Sequence, residues 1–315
     1  MAPQLVFGTG VVGMDGMEFQ DGDSVTKLLL TLKDLGINRL DTAARYPPFN
    51  PGKSESLLGA AHTLTETFVI DTKVYTEVGD GSGDLSNAAI QKSVDGSLER
   101  LHRPQGVHIL FAHRPDPATP LEEQVQGFQD QVAQGHAKTW GIANHSPETL
   151  EKIINLCERK GWEKPSWYQG TYNMLTRGME VRILPILRAH GVSFLASHAL
   201  ASGFLTGTHI DADGNPTGRF ARSAYAAPEV AAAMKKFVAG CTTYGLPPVE
   251  VASRWVAYHS ALGDEDSIVL GASKLAQVGD TVANIRKGPL PVPVVALTDE
   301  LWGAVESIQE IEKIH

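Results

Sequence analysis

The chain has 315 residues, 42% of them hydrophobic and 20% charged, which is ordinary globular composition and enough length to bury a large core. A net charge of -9 with a pI near 5.7 argues against general affinity for nucleic acid or an anionic membrane, while allowing one local basic pocket for a phosphate. The opening MAPQLVFGTG lacks a basic start and a long apolar centre, no uncharged apolar run nears the roughly 18 residues of a spanning helix, and Cys157 and Cys241 are too isolated for a disulfide framework, so a soluble cytoplasmic protein is expected.

The first element, LVFGTGVVGM, spells G-x-G-x-x-G with Gly8, Gly10 and Gly13 after a short apolar run. A dinucleotide fingerprint of that form requires a helix directly after it and an acid about 20 residues on. Here MDGMEFQDGD follows, which is turn composition, and the acid that ends the next strand, NRLDT, is Asp41, roughly 30 residues on. The fingerprint fails its own context. A helix begins only at DSVTKLLLTLKDLG, with Asp23 or Ser24 as the expected cap and Gly36 as the stop.

Regular alternation follows. Residues 68–74 read as strand, 85–101 as helix, 106–113 as strand, 120–135 as helix and 137–145 as strand. Residues 146–161 form a helix with a Ser cap, a Pro in its first turn and a Gly stop; strand 166–172, helix 181–191 and strand 192–200 continue the series. A Gly- and Asp-rich stretch from about Thr206 to Ala227 is read as a functional loop. Two helices, PEVAAAMKKFVAGCTTYG and PPVEVASRWVAYHSALG, precede strand 267–273, a helix starting near Lys274, and a terminal helix TDELWGAVESIQEIEK. Counting LVFGT gives eight strands, each followed by helix. The expected fold is α/β: a single (β/α)8 TIM barrel domain over 1–315, with a C-terminal helix and a long loop after strand 7.

Active sites of such barrels lie at the C-terminal ends of the strands. The polar residues there are Asp41, Tyr46 just beyond it, Lys73, His113, Asn144, Gln169 and the 271–274 turn, and the steps from Asp41 to Gln169 are 32, 40, 31 and 25 residues, one per strand–helix unit. Singly, each has an ordinary structural reading: Asp41 as a helix cap or partner of Arg45, Tyr46 as packing, His113 as loop. Lys73 is harder to dismiss, since a lysine at a strand end is costly unless paired. Together they make chemical sense. A Lys–Asp pair beside a tyrosine is expected to lower the phenol's pKa and make it a general acid, and a neutral histidine can orient a substrate oxygen. No nucleophile–base pair and no metal-ligand motif such as H-E-x-x-H occurs, and with a hydride source the set suits carbonyl reduction.

The segment GINRLDTAARY…GKSESLLG, with DTKV and HRPD, resembles the aldo-keto reductases, and YQGTYN, LASGFLTG, GRF, RWVAYHS and GPLP resemble their aflatoxin-aldehyde/succinic-semialdehyde reductase branch. The resemblance spans nearly the whole chain and implies a barrel that uses NAD(P)H and a Tyr, Lys, Asp, His tetrad. It makes Tyr46 the proton donor, Lys73 and Asp41 its supporting pair, and His113 the carbonyl-orienting residue. It assigns Asn144 and Gln169 to the nicotinamide carboxamide. Gly8, Thr9 and Gly10 become the first-strand turn near the nicotinamide. Ser273, Lys274 and Gln277 become the adenosine-phosphate site, which favours NADPH/NADP+. Ser197 takes the position of the aromatic that stacks on the ring, with His198 beside it. Leu200 and Ser202 of the same stretch are assigned to the cofactor, and Arg219 and Arg222 of the long loop to the substrate. Asp280 and Thr281 stand where a Glu/Gln-Asn pair is usual. The implied partner is a small-molecule carbonyl substrate, with no metal, nucleic acid or membrane; a homodimer is allowed. Potassium-channel beta subunits share the barrel and tetrad, so a cofactor-binding regulatory subunit with slow reductase activity is the alternative reading.

Overall fold

The alternating pattern folds into eight strands: β1 (Gln4–Gly8), β2 (Arg39–Asp41), β3 (Val69–Val74), β4 (Val107–Ala112), β5 (Ala137–Ala143), β6 (Trp167–Thr171), β7 (Ser193–Ser197) and β8 (Ser267–Leu270). In this computed structural model, which describes residues 2–77 and 83–308, they pair in parallel in chain order and close into a barrel, β1 lying beside β8. That is the expected (β/α)8 architecture. The long loop does follow β7, and three short 3-10 turns break it up: Ala201–Thr206, Gly218–Phe220 and Ala224–Ala226.

Helices surround the strands and bury their apolar stripes against them. The helix Pro147–Lys160 shows why the sequence folds locally: Ser146 accepts from the Thr149 N–H, Pro147 opens the first turn, and Gly161 closes it in a left-handed conformation. Its buried residues, Leu150, Ile153, Ile154, Leu156 and Cys157, keep the 3–4 residue spacing of one face.

Three local expectations need correction. The cap of the first helix, Gly22–Asp34, is Asp21 rather than Asp23 or Ser24: its carboxylate accepts from the Ser24 N–H at 2.8 Å, and the Asp21 N–H donates back to the Ser24 hydroxyl. The expected helix 181–191 is two pieces, Met179–Arg182 and Leu184–His190, because Pro185 has no N–H to continue the ladder. The helix expected after β2, for which the sequence set no bounds, is Lys53–Ala60 with the short helix His62–Thr65 after it. The last helix starts earlier than TDELWG, at Val292, and is described to Val305; residues 309–315 of that segment lie outside the described residues.

Residues two apart on a strand share a face, so one interior layer fixes the next. Val6, Ile109, Phe111 and Leu195 form a buried cluster inside the barrel, with Trp167 and Val269 packed against it. Two residues further along the same strands come Gly8, His113, Ser197 and Gln169, which therefore face the mouth. On β2 and β3 the interior is ionic instead. Arg39 pairs with Asp71 at 2.7 Å in the lower layer, and Asp41 with Lys73 at 2.7 Å in the upper one. Gly8 is required where β1 and β8 approach closely, because a Cβ there would lie 2.7 Å from Val269 Cγ1.

Candidate active site

The strand ends bring Asp41, Tyr46, Lys73, His113, Asn144 and Gln169 together. Lys73 is fully buried. Its Nζ donates to both oxygens of Asp41 at 2.7 Å and to the Thr42 carbonyl at 2.9 Å. The ammonium stands 5.0 Å from the centre of the Tyr46 ring, and the His113 ring meets that ring edge-on at 5.5 Å. Asn144, in a left-handed conformation (φ 63°), donates from Nδ2 to the His113 carbonyl at 3.0 Å and from its N–H to the Gln169 carbonyl at 3.1 Å. Gln169 donates from Nε2 to Asp41 Oδ1 at 2.8 Å.

The electrostatics of this cluster are set by burial against charge. Burial alone would push the Lys73 ammonium down, but Asp41, then Tyr46 and Asp71, outweigh it and hold the group above its usual 10.5. His113 is pushed well below the usual 6.5 by burial first and by Lys73, Arg114 and Arg45 next, so its imidazole is neutral at physiological pH. Its Nδ1 is buried with no hydrogen-bond partner among the described residues. For Tyr46 the expectation is corrected. Lys73 does pull the phenol down, but burial outweighs it and Asp41 opposes it, so the phenol lies above its usual 10.0. Tyr46 therefore keeps its proton at neutral pH, which is the form a proton donor needs.

The turn after β1 packs against this cluster. Thr9 donates its N–H to the Asp41 carbonyl at 2.9 Å, and a Cβ on Gly10 would lie 3.8 Å from the Tyr46 ring. The clamp is Ser54, a residue sequence reasoning did not single out. Its hydroxyl is 2.9 Å from Thr9 Oγ1, and its N–H donates to the Tyr46 carbonyl at 3.1 Å. Next to it, the buried Glu55 accepts from Thr72 Oγ1 at 2.6 Å and pairs with Arg100 at 2.8 Å. These contacts explain the folding value of the GKSE segment; no local spacing signals them.

The remaining predicted residues form two further groups. Ser197 ends β7 on the mouth face, while His198 turns into a left-handed conformation (φ 55°) with Nδ1 3.4 Å from Thr171 Oγ1 and 3.3 Å from Ser197 Oγ. Leu200 is half-buried beyond it. The Arg219 guanidinium donates to the Ser202 carbonyl and lies 4.8 Å from the Phe220 ring centre, so these two residues join each other rather than the tetrad; Arg222 is exposed. Ser273, Lys274 and Gln277 gather at the start of the helix Leu275–Arg286, where the Ser273 and Lys274 N–H groups donate to Gln277 Oε1 at 2.9 and 3.1 Å. The next N–H, of Leu275, donates at 2.8 Å to the carboxylate of Glu18, which reaches across from the β1 turn. An anionic oxygen thus already sits at this helix start, where backbone N–H groups favour negative charge. Asp280 is exposed and Thr281 buried on the same helix.

Residues 4–303 match the aldo/keto reductase family. The chain belongs to this family. Among its relatives, aflatoxin B1 aldehyde reductase member 2 of Rattus norvegicus is 31% identical over 97% of this chain and 86% of its own length. Oxidoreductase sirO of Leptosphaeria maculans is 32% identical over 97% and 95%. Human aldo-keto reductase family 7 member A3 is 30% identical over 96% and 95%. These agree with the branch that the later segments resemble. Being reductases or oxidoreductases by name, they do not favour the regulatory-subunit alternative. Membership makes the protein an oxidoreductase acting on carbonyl groups. Among the described residues, no helix is long and apolar enough to cross a membrane.

Proposed function

We propose that this aldo/keto reductase is an NADPH-dependent aldehyde or ketone reductase in which Tyr46 is the proton donor. The observation that carries the reading is the assembly of Tyr46, Lys73, Asp41 and His113 at one barrel mouth, with the phenol protonated and the imidazole neutral. NADPH, when bound, supplies the hydride. The residues suited to hold it are Asn144 and Gln169 at the mouth, the Gly8–Gly10 turn and Ser197 beside them, and Ser273, Lys274 and Gln277 at the helix start that Glu18 now occupies. His113 presents a neutral imidazole to the carbonyl oxygen and orients it. Tyr46 gives up its phenolic proton as negative charge develops on that oxygen, and the Lys73 ammonium stabilises the phenolate left behind. Asp41 keeps Lys73 charged and in place. Buried, unpaired Cys157 and Cys241 support a reducing compartment.

The test is NADPH consumption across a panel of aldehydes, ketones and sugars, with wild type and Tyr46→Phe side by side. The variant keeps fold and cofactor binding and loses about 10²–10⁴-fold in turnover, the usual worth of general acid help. Near wild-type turnover in Tyr46→Phe removes that residue from the mechanism. No turnover of any carbonyl by the wild type removes the reading.

A further inference from the structure

Gln169 stands on β6 and Asp41 on β2, four strands apart around a closed ring of eight and so on opposite walls of the barrel. The two side chains nevertheless meet at 2.8 Å across the interior. Both are buried, Gln169 to 6% exposure and Asp41 to 2%. Asp41 Oδ1 accepts from Gln169 and Lys73, while among the described residues Oδ2 accepts from Lys73. An ionised carboxylate has no proton to offer, so Gln169 must turn its NH2 toward Asp41 and its Oε1 away. The amide is not free to flip.

We propose that Gln169 is a positioning residue for Tyr46 that acts through Asp41, pinning the carboxylate from the far wall of the barrel and sharing its charge with Lys73. This rests on the reductase reading above and adds to it a link between the cofactor pocket and the proton donor. The Asp41 charge makes Tyr46 harder to ionise and the Lys73 charge makes it easier. A neutral donor on Asp41 damps the first without touching the second. It also leaves Oε1 as a preset acceptor on its other side, so one amide serves the carboxylate and the cofactor pocket without rearranging. The charged and titratable groups facing this centre are Lys73 and Asp71 from β3, Tyr46 and Arg45 from the end of β2, and His113 and Arg114 from the end of β4.

The experiment uses Gln169→Glu and Gln169→Leu in the full chain. In cofactor-free protein, carbon NMR of carboxyl-labelled glutamate follows the introduced carboxyl of Gln169→Glu. Set against Asp41, it must hold its proton to keep the bond, and is expected to titrate well above the usual value of about 4.3. Adding Asp41→Asn to that variant should bring the titration back down, which burial alone would not do. At saturating NADPH, Gln169→Glu is expected to be active at low pH and to lose kcat as pH rises through the same titration. Gln169→Leu is expected to lose kcat about tenfold at every pH, the size of one hydrogen bond to a charged group. An introduced carboxyl that titrates at its ordinary value, or one that Asp41→Asn does not move, overturns the proposal. So does a Gln169→Leu variant with wild-type kcat and only a raised KM for NADPH, because that is the pattern of a residue that holds the cofactor and nothing else. If the wild type reduces no carbonyl, the reductase reading fails, and the cofactor-free titration still decides whether Gln169 and Asp41 are coupled.

Discussion

Removing Lys73 should cost stability as well as turnover, and the size of the cost follows from its surroundings. Its ammonium is fully buried, 2.7 Å from both Asp41 oxygens and 2.9 Å from the Thr42 carbonyl. Lys73→Met leaves a buried carboxylate without its counter-charge, for which the usual penalty is about 3–5 kcal/mol. Gln169 still donates to Asp41, so we expect the low end, about 3 kcal/mol. Adding Asp41→Asn removes the stranded charge, and the double variant should recover to within about 1 kcal/mol of wild type. The sign with pH is fixed by the raised Lys73 value. Stability from a group whose folded pKa is raised is complete below the unfolded value, near 10.4, and is lost as pH climbs through the folded one. The penalty should therefore be flat from about pH 7 to 9 and shrink only in stronger alkali. Urea titrations followed by circular dichroism measure it. A Lys73→Met loss below about 1 kcal/mol, or a double variant no better than the single one, would refute this account of the pair.

Three further outcomes are expected. Lys274 is exposed, so its pairing with a 2'-phosphate is screened: Lys274→Ala should weaken NADPH by up to about fivefold and leave NADH unchanged, and equal weakening of both in a binding titration assigns Lys274 to structure. Burial holds His145 near 4 against a usual 6.5, so its contribution is present above pH 6.5 and lost as pH falls toward 4, about 3 kcal/mol in all; unfolding curves of His145→Leu should lack that acid slope, and an unchanged slope counts against it. Ser197 faces the mouth and offers no ring, so Ser197→Tyr should bind NADPH about fivefold tighter by fluorescence titration while His198→Ala changes little; a large loss in His198→Ala with no gain in Ser197→Tyr gives the stacking position to His198.

Much of the site was legible because a parallel barrel turns a one-dimensional period into a ring. One polar residue at the end of each strand, spaced by a strand–helix unit, can only converge on one mouth, and Asp41, Lys73, His113 and Gln169 do so. Choices between near-equal local options were not legible. DGDS offers three helix caps, and a choice among them moves the helix start by only one or two residues, a difference no local pattern decides. Nor were contacts between distant segments: Glu18 meets Leu275 across 257 residues, and no pattern near either announces it. The Tyr46 direction failed for a third reason. The sequence shows which charges are near a phenol but not how deeply all of them are buried, and here depth decides the sign.

The β2–β3 wall shows where sequence parity itself stops. Arg39 and Asp41 share one inward face, as do Asp71 and Lys73, so the text of the chain presents four charged residues of equal standing at core positions. A period of two says that all four point inward; it does not say how deep each lies. Depth along the strand separates them. Asp41 and Lys73 stand at the C-terminal end, where Tyr46 and Gln169 reach them. Arg39 and Asp71 lie one layer below, closed off by His108 at 2.9 Å from Asp71 and by Trp167, whose ring centre is 4.4 Å from the Arg39 guanidinium. Charges at core positions are costly wherever they occur, and a chain that places them there breaks the rule its other strands keep. The upper pair breaks it directly beside Tyr46, the residue proposed above as proton donor. The lower pair gives Lys73 a second negative neighbour in Asp71, so the ammonium is held from below as well as from its side.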